Sequence, residues 1–311
     1  MFLHNDLELF REVIYSAATD LNLPVPVVEK DYYVTMLLKQ LAEKDPACVF
    51  KGGTSLSKCH HAINRFSEDI DIAFTDKLTT GERKRLKDIT IAGISAELAL
   101  PIVDWEKARS RRDYNCYTFS YQPLEDIVPD SLIQGVKMEV VLGSTSFPTV
   151  QMPVDSYVYQ YLSKENMDIV EEYDLKPFEM KLQSLERTLA DKVFALCDYY
   201  LVEKIHRNSR HIYDIYMLLP LVKQDETFKK LVHEVRLVRS KMEICPSAKE
   251  GINIPKLLWQ IIAGKVYQSD YDLITTYFQQ HPVAYEEAIT ALEKIAESSI
   301  FEDETFMDTL F

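Results

Sequence analysis

The chain has 311 residues, of which 47% are apolar and 27% charged, with only 8 glycines. That length fits one large domain or two modest ones, and the composition excludes wholesale disorder and collagen-like or linker-dominated chains. With 35 basic and 49 acidic side chains the formal charge is −14, which excludes a general nucleic-acid-coating role: any nucleic acid must dock on a local basic patch.

Leu7, Phe10, Val13, Ile14 and Ala17 recur at helical spacing, with Asn5 or Asp6 as a cap. After Pro24 and Pro26 a second helix is predicted through Val28, Tyr32, Leu37 and Leu41, ended by Asp45-Pro46. A short strand, Cys48-Val49-Phe50, feeds Lys51-Gly52-Gly53-Thr54-Ser55, where Thr54 or Ser55 can cap a helix to about residue 61. A second strand is predicted over 69–74, a helix over 80–100, and strands near 114–121, 136–142 and 150–154. Beyond about residue 155 strand signals disappear. Leu185, Leu189, Val193, Leu196 and Tyr200 form an amphipathic stripe, and further helices follow. The expected fold class is α+β: a small mixed sheet with flanking helices over 1–155, then a helical domain over 156–311.

Cys48, Cys59, Cys116, Cys197 and Cys245 are odd in number and have no CxxC spacing, which argues against a disulfide framework or zinc site. No signal-peptide pattern opens the chain, and no run approaches the roughly 18 apolar residues of a membrane span. A reducing, cytoplasmic setting without a membrane partner is the expectation.

The chemistry concentrates between Val49 and Phe74. In Gly52-Gly53-Thr54-Ser55 the glycines let backbone approach a ligand closely, and a helix start offers unpaired N–H groups to a phosphate. Taken alone, this is a plain strand-to-helix turn. Asp69-Ile70-Asp71-Ile72 adds two carboxylates on one strand face, which repel each other unless a cation lies between them. Mg²⁺ suits such a pair and commonly also contacts substrate phosphates. The competing reading is a solvent-facing edge strand. Glu139, alternating with Met138 and Val140, is the candidate third carboxylate, or else an ordinary strand residue.

Lys51-Gly52-Gly53-Thr54-Ser55-Leu56-Ser57-Lys58, followed by Arg65-Phe66-Ser67-Glu68-Asp69-Ile70-Asp71-Ile72, closely resembles the nucleotidyltransferase AbiEii/AbiGii toxin family, part of the polymerase-β-like nucleotidyltransferase superfamily. Glu29-Lys30-Asp31-Tyr32, the segment Leu189-Ala190-Asp191-Lys192, and Arg210-His211-Ile212-Tyr213-Asp214 resemble three further motifs of that family. The resemblance implies that Gly52, Gly53, Thr54 and Ser55 meet the nucleotide phosphates, that Asp69 and Asp71 bind metal, and that Lys192 contacts the phosphates. It further implies that Asp214 orients that lysine or the incoming substrate, with the helical domain closing over the site. His211 departs from the pattern, which has an acid there. Without the resemblance, Lys192, Asp214 and the Glu29-Lys30-Asp31 cluster read as solvated helix faces, and Asp191 as an i,i+4 partner of Arg187.

Three basic groups are candidates for an acceptor: Arg83, Lys84, Arg85 and Lys87; Lys107, Arg109, Arg111 and Arg112 with Tyr114 and Tyr117 nearby; and Lys204, His206, Arg207, Arg210 and His211. The second and third are favoured over the first. The expected activity is a transfer of a nucleoside monophosphate from an NTP, with Mg²⁺ or Mn²⁺. The resemblance implies a toxin of a toxin–antitoxin or phage-defence pair, with RNA, such as a tRNA 3′ end, as acceptor, a cognate antitoxin as partner, and no DNA. The alternatives are a protein or small-molecule acceptor, which suits the negative charge, or a non-catalytic nucleotide-binding scaffold.

Overall fold

The computed structural model describes residues 1–65, 67–103, 105–125, 135–276, 279 and 281–302. Two units divide it: Met1–Cys59 with Ser67–Leu182, and His60–Phe66 with Gln183–Phe311.

In the first unit, α1 (Leu7–Asp20) is capped by Asp6, whose side chain accepts from Leu9 N. It is followed by α2 (Val25–Lys44), β1 (Cys48–Lys51), α3 (Gly52–Lys58) and β2 (Ile70–Phe74). The single helix expected over 80–100 is α4 (Thr80–Arg85), a π-helical turn (Leu86–Ile91) and α5 (Ala92–Glu97). Next come β3 (Ile102–Val103), β4 (Tyr114–Phe119), β5 (Val136–Thr145), β6 (Thr149–Val154), α6 (Tyr157–Glu165), α7 (Met167–Glu172) and β7 (Phe178–Gln183). The seven strands form one mixed sheet ordered β3-β4-β5-β2-β1-β7-β6. Strand β2 lies antiparallel to β1 and parallel to β5, and β1 is parallel to β7.

Period-two alternation decides which face is core. Phe50, Ile72 and Val140 share one row, and Ile70 with Met138 another; all are buried in the apolar cluster with Tyr32, Leu37 and Leu38 of α2. Burying each such side chain contributes roughly 1.5–3 kcal/mol. Most of helix α2 is buried, Glu29 and Lys30 included, so the competing reading of Glu29-Lys30-Asp31 as a solvated face does not hold. Lys30 pairs with Glu68, Asp31 accepts from Lys58 Nζ at 2.5 Å and Tyr157 N at 2.8 Å, and both Glu29 oxygens accept from Leu124 N, at 3.1 and 3.2 Å.

β7 is a second difference. Its Phe178, Met180 and Leu182 alternate with Glu179 and Lys181, but the strand is short and Ser184 caps the next helix immediately after it. The pattern is therefore overshadowed by the helical stripe that follows. Because β7 joins the sheet beside β1, the two units part between Leu182 and Gln183 and not near residue 155.

The second unit is helical: α8 (Leu185–Leu201), α9 (Arg210–Leu218), α10 (Glu226–Arg239), α11 (Ile254–Ala263), α12 (Gln268–Asp270), α13 (Tyr285–Ala288) and α14 (Thr290–Glu297). Helix α8 packs on α9, α10 and α11, and α14 on α11 and α9. Residues 60–65, from the connection between α3 and β2, fold with these helices: Asn64 N donates to the Tyr213 hydroxyl at 3.1 Å. Among the described residues, no helix is long and apolar enough to cross a membrane.

Candidate active site

The sheet register assembles a row of polar side chains on the face opposite the core. Asp71 of β2 pairs with Lys51 of β1 on one side and Glu139 of β5 on the other, and Glu139 pairs with Cys116 of β4. Asp69 was expected inside the strand; it lies one residue before β2 begins. Its carbonyl accepts from Thr54 Oγ1 at 2.5 Å, which ties it to α3. Its Oδ1 is buried without a hydrogen-bond partner, an arrangement that calls for a specific explanation in a folded protein.

Gly52 sets the closeness of this turn. Its φ of +78° favours glycine, and a Cβ there would stand 1.9 Å from Asp71 Oδ2. The backbone of the turn thus lies directly against the Asp71 carboxylate. Thr54 and Ser55 do not cap α3, whose N-cap is Lys51. Their hydroxyls turn inward: Thr54 also reaches Ser67 Oγ at 3.0 Å, Ser55 Oγ donates to the Gly52 carbonyl at 3.0 Å, and the two residues are 3% and 0% exposed. The helix begins early because Gly52 takes the left-handed conformation that the turn needs, which leaves both hydroxyls within the first helical turn.

The row is electrostatically negative. Burial raises the Tyr114 phenol far above its usual range, and the nearby Glu139 and Asp71 carboxylates add to the effect. Burial likewise raises the Cys116 thiol, with Glu139 and Asp69 reinforcing it. Among the described residues, no three His, Cys, Asp or Glu side chains already gather as a metal cage. The donor set fits a hard cation that takes one or two carboxylates and draws its other oxygens from water and phosphate, and the orphaned Asp69 Oδ1 is the atom such a cation would satisfy.

The second unit holds a buried charge cluster. Arg65 grips Asp214 in bidentate fashion, with Nε to Oδ1 and Nη2 to Oδ2 both at 2.7 Å, and Lys192 Nζ donates to Asp214 Oδ2 at 2.6 Å. Asp214 is 0% exposed. Burial alone would raise its carboxyl, but Arg65 and Lys192 outweigh burial and hold it well below the usual carboxylate range. Burial lowers Lys192, opposed by Asp214. His211, at the departing position, is lowered by burial and by Lys192 and Arg210; its ring stacks on Tyr199 with centroids 5.5 Å apart. A neutral, stacked imidazole there adds no acid. Asp191 does pair with Arg187, at 3.0 Å, and also accepts from Arg239 at 3.0 Å, which links α8 to α10.

These elements converge on one comparison. A family model described as nucleotidyl transferase AbiEii toxin, type IV toxin–antitoxin system, matches residues 36–295, most of the chain. The chain belongs to the AbiEii family. A comparison with curated proteins found no match.

Within this AbiEii member, the structure brings Gly52, Asp71 and Glu139 together, with Asp69 on the adjoining turn, and separately brings Lys192 onto Asp214. Two residues escaped the sequence reading. Arg65 is part of the quoted motif, but nothing in the sequence marks a lone arginine as the bidentate partner of an acid so distant in the chain. Tyr114 was noted only as an aromatic near a basic loop, because its place on the same strand face as Glu139 depends on the β4–β5 register.

Proposed function

We propose that this AbiEii-family protein transfers a nucleoside monophosphate from an NTP to an acceptor hydroxyl, with RNA, such as a tRNA 3′ end, as the acceptor. The observation that carries the reading is the Asp71–Glu139 row with the Gly52 backbone pressed against it. Asp69 and Asp71 would hold Mg²⁺ or Mn²⁺, which when bound supplies charge neutralisation at the phosphate oxygens. Glu139 takes the proton of the attacking hydroxyl, with Tyr114 beside it on the same face of the sheet. The acceptor oxygen bonds to the α-phosphorus, the bond to the β-phosphate oxygen breaks, and pyrophosphate leaves. Positioning and charge stabilisation supply most of the catalysis in such chemistry.

Gly52 and Gly53 would meet the phosphates through backbone, while Thr54 and Ser55 hold the turn and Asp69 in place. Lys192 adds positive charge at the triphosphate, with Asp214 as its positioning partner; this part of the proposal rests on the family resemblance. A cognate antitoxin restrains the activity in the cell. The test is to offer each NTP labelled in either the α- or the γ-phosphate, with total RNA, protein or small solutes as acceptor. Label moving from the α position to RNA is the expected result. Transfer of γ label, or α label going only to protein or solutes, would overturn the reaction or the acceptor respectively, and no transfer would favour a binding scaffold.

A further inference from the structure

We infer that the loop spanning residues 105–113, with Tyr114 at its end, guides a single-stranded RNA acceptor to Glu139. The inference rests on the nucleotidyl-transfer reading above and deepens it. Lys107, Arg109, Arg111 and Arg112 are exposed on this loop, and Lys84 and Arg85 on α4. The structure joins these two basic groups, which the sequence left apart. Arg83 of α4 donates to Asp113 at 2.9 Å and to the Leu142 carbonyl at 3.1 Å. Lys87 donates to the Ala108 carbonyl at 2.9 Å and stands 4.7 Å over the Trp105 ring.

The loop is also braced from beneath. Leu142 N donates to the Asp113 carbonyl at 2.7 Å. The buried Asn115 side chain accepts from Arg109 N at 2.9 Å and donates to the Arg109 carbonyl at 3.0 Å. A merely solvated surface needs no such bracing. Of the nearby acids, Asp113 pairs with Arg83 and Glu82 closes the cap with Thr79; Asp88 and Glu106 are exposed. In a chain of net charge −14, a braced loop carries four exposed cations, of which Arg109 and Arg112 also donate to the loop's own carbonyls at Ala108 and Lys107; holding the backbone in place lowers the ordering cost of binding phosphates.

Tyr114 supplies the second half of the argument. It directly follows Arg111, Arg112 and Asp113, it is 47% exposed, and the β4–β5 register sets it on the same strand face as Glu139, diagonally across. A strand tracked by the arginines therefore meets an aromatic face at the edge of the carboxylate row. Stacking its last base there sets the terminal ribose beside Glu139, and stacking is the contact that separates a polynucleotide from any other polyanion.

The experiment measures binding of a fluorescent twelve-nucleotide single-stranded RNA and of a fluorescent NTP analogue to the full chain across a salt series. For the variant Arg111→Glu/Arg112→Glu, RNA affinity is expected to fall at least about tenfold. The slope of log affinity against log salt should shrink by about 1.4, at ~0.7 per lost contact. NTP affinity should be unchanged, and the milder Arg111→Gln/Arg112→Gln should follow in the same direction. Tyr114→Ala should lose roughly five- to a hundred-fold in RNA affinity, while Tyr114→Phe retains it. A poly-glutamate peptide should bind weakly and be indifferent to Tyr114. The same charge reversal at the exposed Lys241 and Lys256 controls for net charge. RNA binding by the parent that survives both the arginine and Tyr114→Ala changes would overturn this inference and leave the transfer reading standing. A parent that binds NTP but not RNA, or binds poly-glutamate as well as RNA, would overturn the RNA acceptor itself.

Discussion

Gly52 shows how much one missing side chain determines. Its positive φ and its contact with Asp71 leave no space for a methyl group, since the nearest carboxylate oxygen would stand at 1.9 Å. Gly52→Ala is expected to cost about 1 kcal/mol or more from backbone strain and to push the Asp71 carboxylate out of its row. Transfer should fall far more than the melting temperature does; thermal denaturation and a turnover assay on the same preparation test this. A proportionate loss of both would mean that the turn is only architectural. Asp69 is the complementary case. Asp69→Asn retains the shape and the Thr54 contact to the backbone while removing charge. It should leave the fold intact by circular dichroism and abolish the dependence of nucleotide binding on Mg²⁺, measured by calorimetry with and without the ion. Unaltered Mg²⁺ dependence would remove Asp69 from the metal site.

At the level of elements, α8, α9 and the 60–66 segment are tied by one carboxylate. Removing it leaves the Arg65 and Lys192 charges buried and uncompensated, a situation that commonly costs 3–5 kcal/mol. Asp214→Asn should therefore lower stability by about that amount in chemical denaturation, and activity loss in that variant has to be read against it. Because Asp214 titrates below the usual carboxylate range when folded, its contribution is fully present at neutral pH and is lost as pH falls through the acid range. A denaturation midpoint unmoved by the substitution would contradict the role assigned to the cluster. The same elements mark where the sequence was legible. β2 and β5 could be read because their apolar residues alternate and one face is core. The place of Asp71 on the polar face of β2 could be read because Ile70 and Ile72 alternate with it; that Asp69 lies before the strand could not. Burial of Glu29, Lys30 and Arg65 could not, because ion partners come from distant segments: Glu68 for Lys30 and Asp214 for Arg65. β7 was hidden by brevity and by the helix that follows it directly. Lys192 and Asp214 were legible only through the family resemblance, since a lysine and an aspartate on separate helices otherwise look like surface.

For the molecule as a whole, pH has a second handle in Glu29. Burial pushes its carboxyl up from 4.5 to about 7. Folding thus favours the protonated form, and stability falls as pH rises from about 4.5 to about 7, by about 3 kcal/mol in all. Glu29→Gln retains an acceptor for Leu124 N without the buried charge. Denaturation at pH 5 and pH 8 should show the decline in the parent and its near absence in the variant; equal slopes in both would place the ionisation elsewhere. The central claim is that the carboxylate row of β2 and β5 performs the transfer. Its most direct test is the rate at which α-phosphate label reaches acceptor RNA with Asp71→Asn, alongside a circular dichroism check of folding. The account predicts a loss of at least about a hundredfold with the fold intact; transfer within a few-fold of the parent would contradict it.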